Sequence, residues 1–410
     1  NVSIQRNRPV FYDPANRRWP RVKAGAFLAA ALVSAVLVVL VGSVLLNPAL
    51  ESLSLPSARY LPHPNHTSPP LPKESSAVLD ARLAKLKRVL AKEIRVSKHN
   101  IAPIAAKASD QPYTPKALGF FVNWDDASFS SLKKNLGNLD MLVPEWLHLT
   151  GADGGIREDS PDKTRETLAF IRAYKPSLPI MPLVNNFINM VWRGDLVAAM
   201  MAKCEARARC IEDLLAYVQN NGFAGVSLDF ENLPPASQKN FLKFLSELTT
   251  AFHARSLLVS VNVPSEDPAF NFKKIAELAD QVIIMAYDEH WASSKPGPIA
   301  SLSWYTASIR ARAAQIPPEK LIVAVGSYAY DWPKGKSAEE QTFEEAVLTA
   351  KESEGHITLD PTSFNPHFEY QDEKDVPHDV WLMDATTVFN SVAAALPLRP
   401  AGFALWRLGG

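Results

Sequence analysis

One rhythm constrains this chain more than any single motif. From residue 113 onward, short apolar runs alternate with segments of helical period. The runs are LGFFVNW from Leu118, LDMLVPEWLHLT from Leu139, PIMPLVNN from Pro179 and AGVSLDFE from Ala224. They continue with LLVSVNVP from Leu257, QVIIMAYDE from Gln281, LIVAVGSYAYDW from Leu321 and GFALWRLG from Gly402. Each is nearly continuous in apolar residues, as expected of a parallel strand covered on both faces. Between them, KTRETLAFIRAY, CIEDLLAYVQNN, QKNFLKFLSELTTAFHAR and FKKIAELAD repeat apolar residues at the 3.6-residue period of a helix. Strands interleaved with helices in this number predict an α/β fold, a (β/α)8 TIM barrel over residues 113–410. No G-x-G-x-x-G follows the first run, so a nucleotide-binding sheet has little support.

The rhythm breaks between the seventh and eighth runs, roughly residues 333–401. That gap holds a helical pattern, AEEQTFEEAVLTAKE, then HFEYQDEKDVPHDVWLMDA, which reads as a hairpin, then the helix ATTVFNSVAAAL. An insertion at the strand-exit face of a barrel shapes one wall of its cleft. Within it, His378 and Trp381 are expected to hold the hairpin together. The chain stops at Gly410, where a complete barrel adds a last helix, and begins at Asn1 without an initiator Met. A piece of a longer protein is the expectation.

The first 112 residues read differently. Residues 1–23 carry Arg6, Arg8, Arg17, Arg18, Arg21 and Lys23 against the single acid Asp13. Residues 24–46 then contain no charge, and these 23 residues suffice to cross ~30 Å of hydrocarbon at ~1.5 Å rise per residue. A cleaved leader has a shorter apolar core, so a single transmembrane helix is predicted. The flanking arginines place the basic tail in the cytoplasm and the barrel outside an inner membrane, periplasmic or extracellular. Residues 47–112 form a Pro-rich linker followed by an amphipathic helix with Leu79, Leu83, Leu86, Leu90 and Ile94 on one face. Across the whole chain 43 basic residues balance 43 acidic ones, which argues against nucleic acid as a partner. No His or Cys cluster has metal-ligand spacing, and neither metal nor cofactor is expected. Cys204 and Cys210 lie about 9 Å apart in rise on one helix, so a bridge requires a helix break between them.

Chemistry is expected at the C-terminal ends of barrel strands. The first run ends at Trp124 and Asp125, the second holds Glu145 and Trp146, and the fourth ends with Asp229 and Glu231. The sixth ends with Tyr287 and Asp288, and the eighth carries Trp406. Two-residue spacing points Asp229 and Glu231 to the same side of a strand. If Leu228 and Phe230 pack outward, both acids enter the barrel mouth. Carboxylates this close compete for charge, so one rises in pKa, as a general acid near neutral pH requires.

These residues resemble glycoside hydrolase family 18, the chitinase-like barrels. AGVSLDFE is similar to that family's fourth-strand signature Asp-x-x-Asp-x-Asp-x-Glu, MAYD (Met285–Asp288) to its sixth-strand motif, and FALWRLG to its eighth-strand tryptophan segment. The resemblance implies a roster of roles. Glu231 would protonate the glycosidic oxygen, Asp229 would orient the substrate's N-acetyl group, and Tyr287 would hydrogen-bond that group. Asp288 would stand beside them, with Trp406 under the reacting sugar. It implies substrate-assisted catalysis, in which the acetamido oxygen attacks and no enzyme carboxylate does. Trp124, Asp125, Glu145 and Trp291 are further candidates for contact with substrate. Ala224 and Ser227 stand where the family has its first two aspartates. The change weakens the expected tuning and keeps a non-hydrolytic glycan-binding module as the alternative. The layout also resembles the front of bacterial proteins that continue into a polysaccharide deacetylase and a family 2 glycosyltransferase.

Overall fold

The structure, a computed structural model, describes residues 113–410. The eight apolar runs supply the strands of one parallel barrel. They are β1 (Lys116–Val122), β2 (Met141–Leu149), β3 (Leu183–Asn185), β4 (Gly225–Asp229), β5 (Leu258–Pro264), β6 (Gln281–Met285), β7 (Leu321–Gly326) and β8 (Gly402–Trp406). Neighbours in this order pair in parallel, and β1 pairs with both β2 and β8, which closes the sheet. Alternation sorts the side chains. On β4, Val226 and Leu228, with Phe230 just beyond, pack outward against the helix Gln238–His253, where the rings of Phe230 and Phe244 lie 6.2 Å apart. Leu118, Phe120, Met141, Val143, Leu183 and Ile283 fill the barrel interior. Each such side chain contributes about 1.5–3 kcal/mol by leaving water. Gly225 is required where it sits, because a Cβ there would lie 2.0 Å from the Leu258 carbonyl oxygen.

Strands in a closed barrel are staggered. Hydrogen-bonded rows here descend by about one residue per strand from β1 towards β8, as a shear of about eight demands. Side chains from alternate strands therefore form level layers. The upper layer contains Glu145 of β2, Asp229 of β4, Met285 of β6 and Trp406 of β8.

The insertion forms its own five-stranded antiparallel sheet, in the order Glu339–Thr342, Tyr328–Pro333, Pro377–Leu382, Pro366–Gln371 and Thr358–Leu359. Two expectations change here. The seventh run is not one strand: it divides at Gly326, and Tyr328–Pro333 leaves the barrel to become the second strand of this sheet. The pattern expected to be helical from Ala338 starts as a strand, and its helix is Phe343–Glu352. Thr342 makes the switch by capping that helix in a reciprocal box with Glu345, which satisfies backbone N–H groups at the helix start. The hairpin and the helix Ala385–Ala395 fall where the sequence places them.

Helix Cys204–Asn221 runs without a break, so Cys204 is exposed, Cys210 is buried, and both are free thiols. The expected membrane span at 24–46, the linker and the amphipathic helix before residue 113 lie outside the described residues. Among the described residues no helix is long and apolar enough to cross a membrane.

Candidate active site

The site begins where β4 ends. With Leu228 and Phe230 committed to the outer core, Ser227 and Asp229 face the interior. Asp229 is buried, and its Oδ1 accepts no hydrogen bond from any protein group. Glu231 is held by its backbone. Asn186, just past β3, accepts from the Glu231 N–H (2.9 Å) and donates through Nδ2 to the Glu231 carbonyl (2.9 Å). This two-way clamp fixes the chain direction beyond the strand while the carboxyl stays available. Gly194 permits the same turn, because a Cβ there would sit 1.8 Å from the Asn232 carbonyl.

Burial raises four acids of this mouth. Desolvation, then the nearby Glu145 charge, push Asp229 up to about 8. Glu231 rises well above the usual carboxylate range through desolvation and the charges of Asp229, Asp288, Asp267 and Glu145. Glu145 rises to about 7 by desolvation, opposed by donors on Trp124 and Asn185. Asp288 rises to about 6 by burial, held back by hydrogen bonds from Tyr328 and Tyr330. Near neutral pH, Glu231 therefore keeps a proton that it can deliver.

Tyr287 is buried and faces Asp229, Asp288 and Glu231, whose charges add to the desolvation that keeps its phenol protonated. Asp288 adopts a left-handed backbone (φ 61°), uncommon for a non-glycine, and accepts from the Tyr328 hydroxyl at 2.5 Å. Trp406 packs edge-on against Phe120, with centroids 5.2 Å apart, and a cis peptide joins it to Arg407. Trp124 is 54 % exposed and lies over the Arg407 guanidinium at 4.3 Å. Asp125 is already engaged: it caps the helix Asp126–Asn135 and pairs with Arg407 at 2.5 Å. Trp291 is 52 % exposed, on the loop after β6, which is tied to the insertion by the Ala338 N–H bonded to the Ala292 carbonyl. Trp146 is core, fully buried between Phe121 and Phe223. His290 serves its loop by bonding the Pro298 carbonyl. His378 and Trp381 hold the hairpin, the first on Asp331 and the second stacked on His367.

Sequence reasoning passed over several contributors. Asn185 accepts from the His148 ring (2.7 Å) and the Phe187 N–H (3.2 Å), which leaves its amide NH2 for Glu145. Arg407 is buried among Asp125, Trp124 and Glu340. Tyr328, Tyr330 and Trp332 alternate along one strand of the insertion and, with Tyr287, form a row of rings 5.3 to 6.0 Å apart. That row runs from the acids to an open groove of about 480 Å3 lined by Trp332, Lys334, Tyr370 and His378. The one available signal was the period-two aromatic spacing in YAYDW. At position 227, the serine hydroxyl accepts from Ser260 (2.8 Å) and Asn262 (3.0 Å) and closes a neutral network where the family pattern has an acid.

Comparison with known proteins agrees with this geometry. A family model described as Glycosyl hydrolases family 18 matches residues 116–409. Over 311 residues the chain is 26 % identical to an uncharacterized glycosylase, YvbX, of Bacillus subtilis (strain 168), covering 72 % of this chain and 88 % of that protein. It is 24 % identical over 273 residues to a cortical fragment-lytic enzyme of Bacillus cereus, covering 63 % of this chain and 62 % of the relative. Among solved structures, a chitinase from Chromobacterium violaceum ATCC 12472 shares the fold with a TM-score of 0.67 at 20 % identity, over 72 % of this chain and 95 % of that one. The spore cortex-lytic enzyme SleL of Bacillus megaterium QM B1551 does so with a TM-score of 0.63 at 20 % identity, over 75 % of each chain. The family match spans the barrel from its first strand to its last, and this chain belongs to glycoside hydrolase family 18.

Proposed function

We propose that the barrel hydrolyses β-1,4-linked N-acetylhexosamine glycan with retention of configuration. The observation that carries this reading is the strand end where Asp229 and Glu231 enter one mouth, both held towards the protonated form, with Tyr287 facing them. Glu231 gives its proton to the glycosidic oxygen. The unpartnered Oδ1 of Asp229 accepts the acetamido N–H and Tyr287 steadies the same group, so the amide oxygen lies against the anomeric carbon. That oxygen bonds to the anomeric carbon from the face opposite the aglycone and closes a five-membered ring as the protonated aglycone leaves. Water then enters from the side the aglycone vacated, gives a proton back to Glu231 and breaks the new C–O bond. Trp406 supplies the apolar floor, and the half-exposed Trp124 and Trp291 offer rings to further sugars of an extended polymer. A chitin-like, peptidoglycan or exopolysaccharide strand suits such a site, and the cortex-lytic names of two relatives support a cell-wall glycan.

The departures at Ala224 and Ser227 favour a second reading, a glycan-binding module that does not cut. Incubating the purified chain with N-acetylglucosamine oligomers and with peptidoglycan, beside Glu231→Gln, separates the two. Cleavage lost in the variant supports the enzyme, whereas binding without cleavage by either protein supports the module. We infer further that the uncharged segment 24–46 anchors the chain in the inner membrane with the barrel outside. A reporter fused after Gly410 that is active only in the cytoplasm would overturn that orientation.

A further inference from the structure

This inference rests on the hydrolase reading and concerns the acid missing at position 227. The family pattern places a second carboxylate one layer below Asp229 on the same strand. Here that layer is neutral, because Ser227, Ser260 and Asn262 hydrogen-bond one another. Another strand brings a different acid to Asp229. Met141 and Val143 of β2 point into the barrel, so the alternation carries Glu145 inward as well, before a bulge shifts the strand at residues 145–147. Glu145 is in register with Leu183, and Leu183 with Ser227. The stagger of one residue per strand then sets Glu145 level with Asp229, two strands away. That spacing is about 9–10 Å between backbones, across an interior only wide enough for side chains to meet.

We propose that Glu145 is the positioning residue that supplies Asp229 with the second carboxylate its own strand has lost. The groups around the pair fit that role. Glu145 is faced by Asp159 and Arg407 and by donors on Trp124 and Asn185, with His148 bonded to the far side of Asn185. Asp229 has Glu145 and Glu231 as charged neighbours, and its Oδ1 has no protein donor. Glu231 is further faced by Asp288 and Asp267. A negative charge on Glu145 keeps protons on both Asp229 and Glu231, because like charges in a desolvated mouth disfavour each other's ionisation. The charge on Glu145 therefore adds, from β2, to the hold that desolvation and Asp229 on β4 already place on the Glu231 proton.

The test compares the full chain with Glu145→Gln and with Glu145→Gln/Ser227→Asp, using an N-acetylglucosamine tetramer across pH 5 to 9. Glu145→Gln should move the alkaline limb of kcat down by about half a pH unit or more, and adding Ser227→Asp should move it back up. A limb that stays in place in Glu145→Gln, with only KM raised, marks a plain substrate contact and overturns the proposal. So does a limb that stays low after Ser227→Asp is added. Thermal melts read the same coupling without turnover. Glu145→Gln and Asp229→Asn should each flatten the fall of Tm with pH, and the double variant should flatten it by less than the two effects added. Simple additivity overturns the proposal. If the wild type cleaves nothing, the hydrolase reading fails while the melts still decide whether the two acids are coupled.

Discussion

Asp229 in the barrel and Asp331 in the insertion are each 4 % exposed, yet the chain treats them in opposite ways. Asp331 has both oxygens occupied. His378 lies 2.6 Å from Oδ1, the Tyr370 hydroxyl donates to Oδ2 at 2.6 Å, and Gln341 adds a longer bond at 3.4 Å. Asp229 has a neutral serine network beneath it, other acids around it and an oxygen with no donor. A buried oxygen left without a partner costs about 1–3 kcal/mol. A fold tolerates that cost where a ligand will supply the donor. Burial alone therefore does not tell these two acids apart, whereas their hydrogen bonds do.

Substitutions can break or sharpen this contrast. The largest effect should come from Glu231→Gln, which removes the proton donor and keeps the shape. We expect kcat to fall by about 10²–10⁴-fold, with the melting temperature little changed. Asp229→Asn should lower kcat by roughly 10²-fold and leave stability equal or higher, since it replaces an acid whose ionised form the desolvated mouth disfavours. Asp331→Ala should do the reverse. It orphans His378 and Tyr370 at a cost of about 3 kcal/mol, read by denaturant unfolding, while kcat changes little. If Asp331→Ala abolishes turnover and Asp229→Asn unfolds the protein, the contrast is wrong.

A subtler effect is the dependence of stability on pH. Asp229 and Glu145 have folded-state pKa values of about 8 and about 7, above the unfolded carboxylate range near 4. Their protonated forms favour the folded state, so the contribution is fully present below pH ~4 and is lost as pH rises through 7 and 8. Tm should fall between pH 5 and 9, and less steeply in Asp229→Asn. The smallest effect should come from Ser227→Ala, which leaves Ser260 and Asn262 without their shared acceptor at about 1 kcal/mol.

The same pair of regions shows what a sequence can disclose. The barrel was legible because both faces of its strands are buried, which leaves continuous apolar runs that nothing else explains. Asp229 and Glu231 were legible because two-residue spacing needs only local geometry. The role of Glu145 was not, since its level with Asp229 depends on the stagger across two strand pairings. Neither was Asn186 as the clamp on Glu231, 45 residues away, nor Arg407 reaching Asp125 across 282 residues. The split at Gly326 was hidden because the apolar pattern continues unbroken from a barrel strand into a strand of another sheet.

The central claim is that Asp229 and Glu231 work on a substrate that brings its own nucleophile. Hydrolysis of an N-acetylglucosamine oligomer and of its de-N-acetylated counterpart, followed by proton NMR of the newly formed reducing ends, tests it directly. The account predicts cleavage of the acetylated oligomer alone, with the β anomer appearing first. Equal cleavage of both oligomers, or initial release of the α anomer, would contradict it.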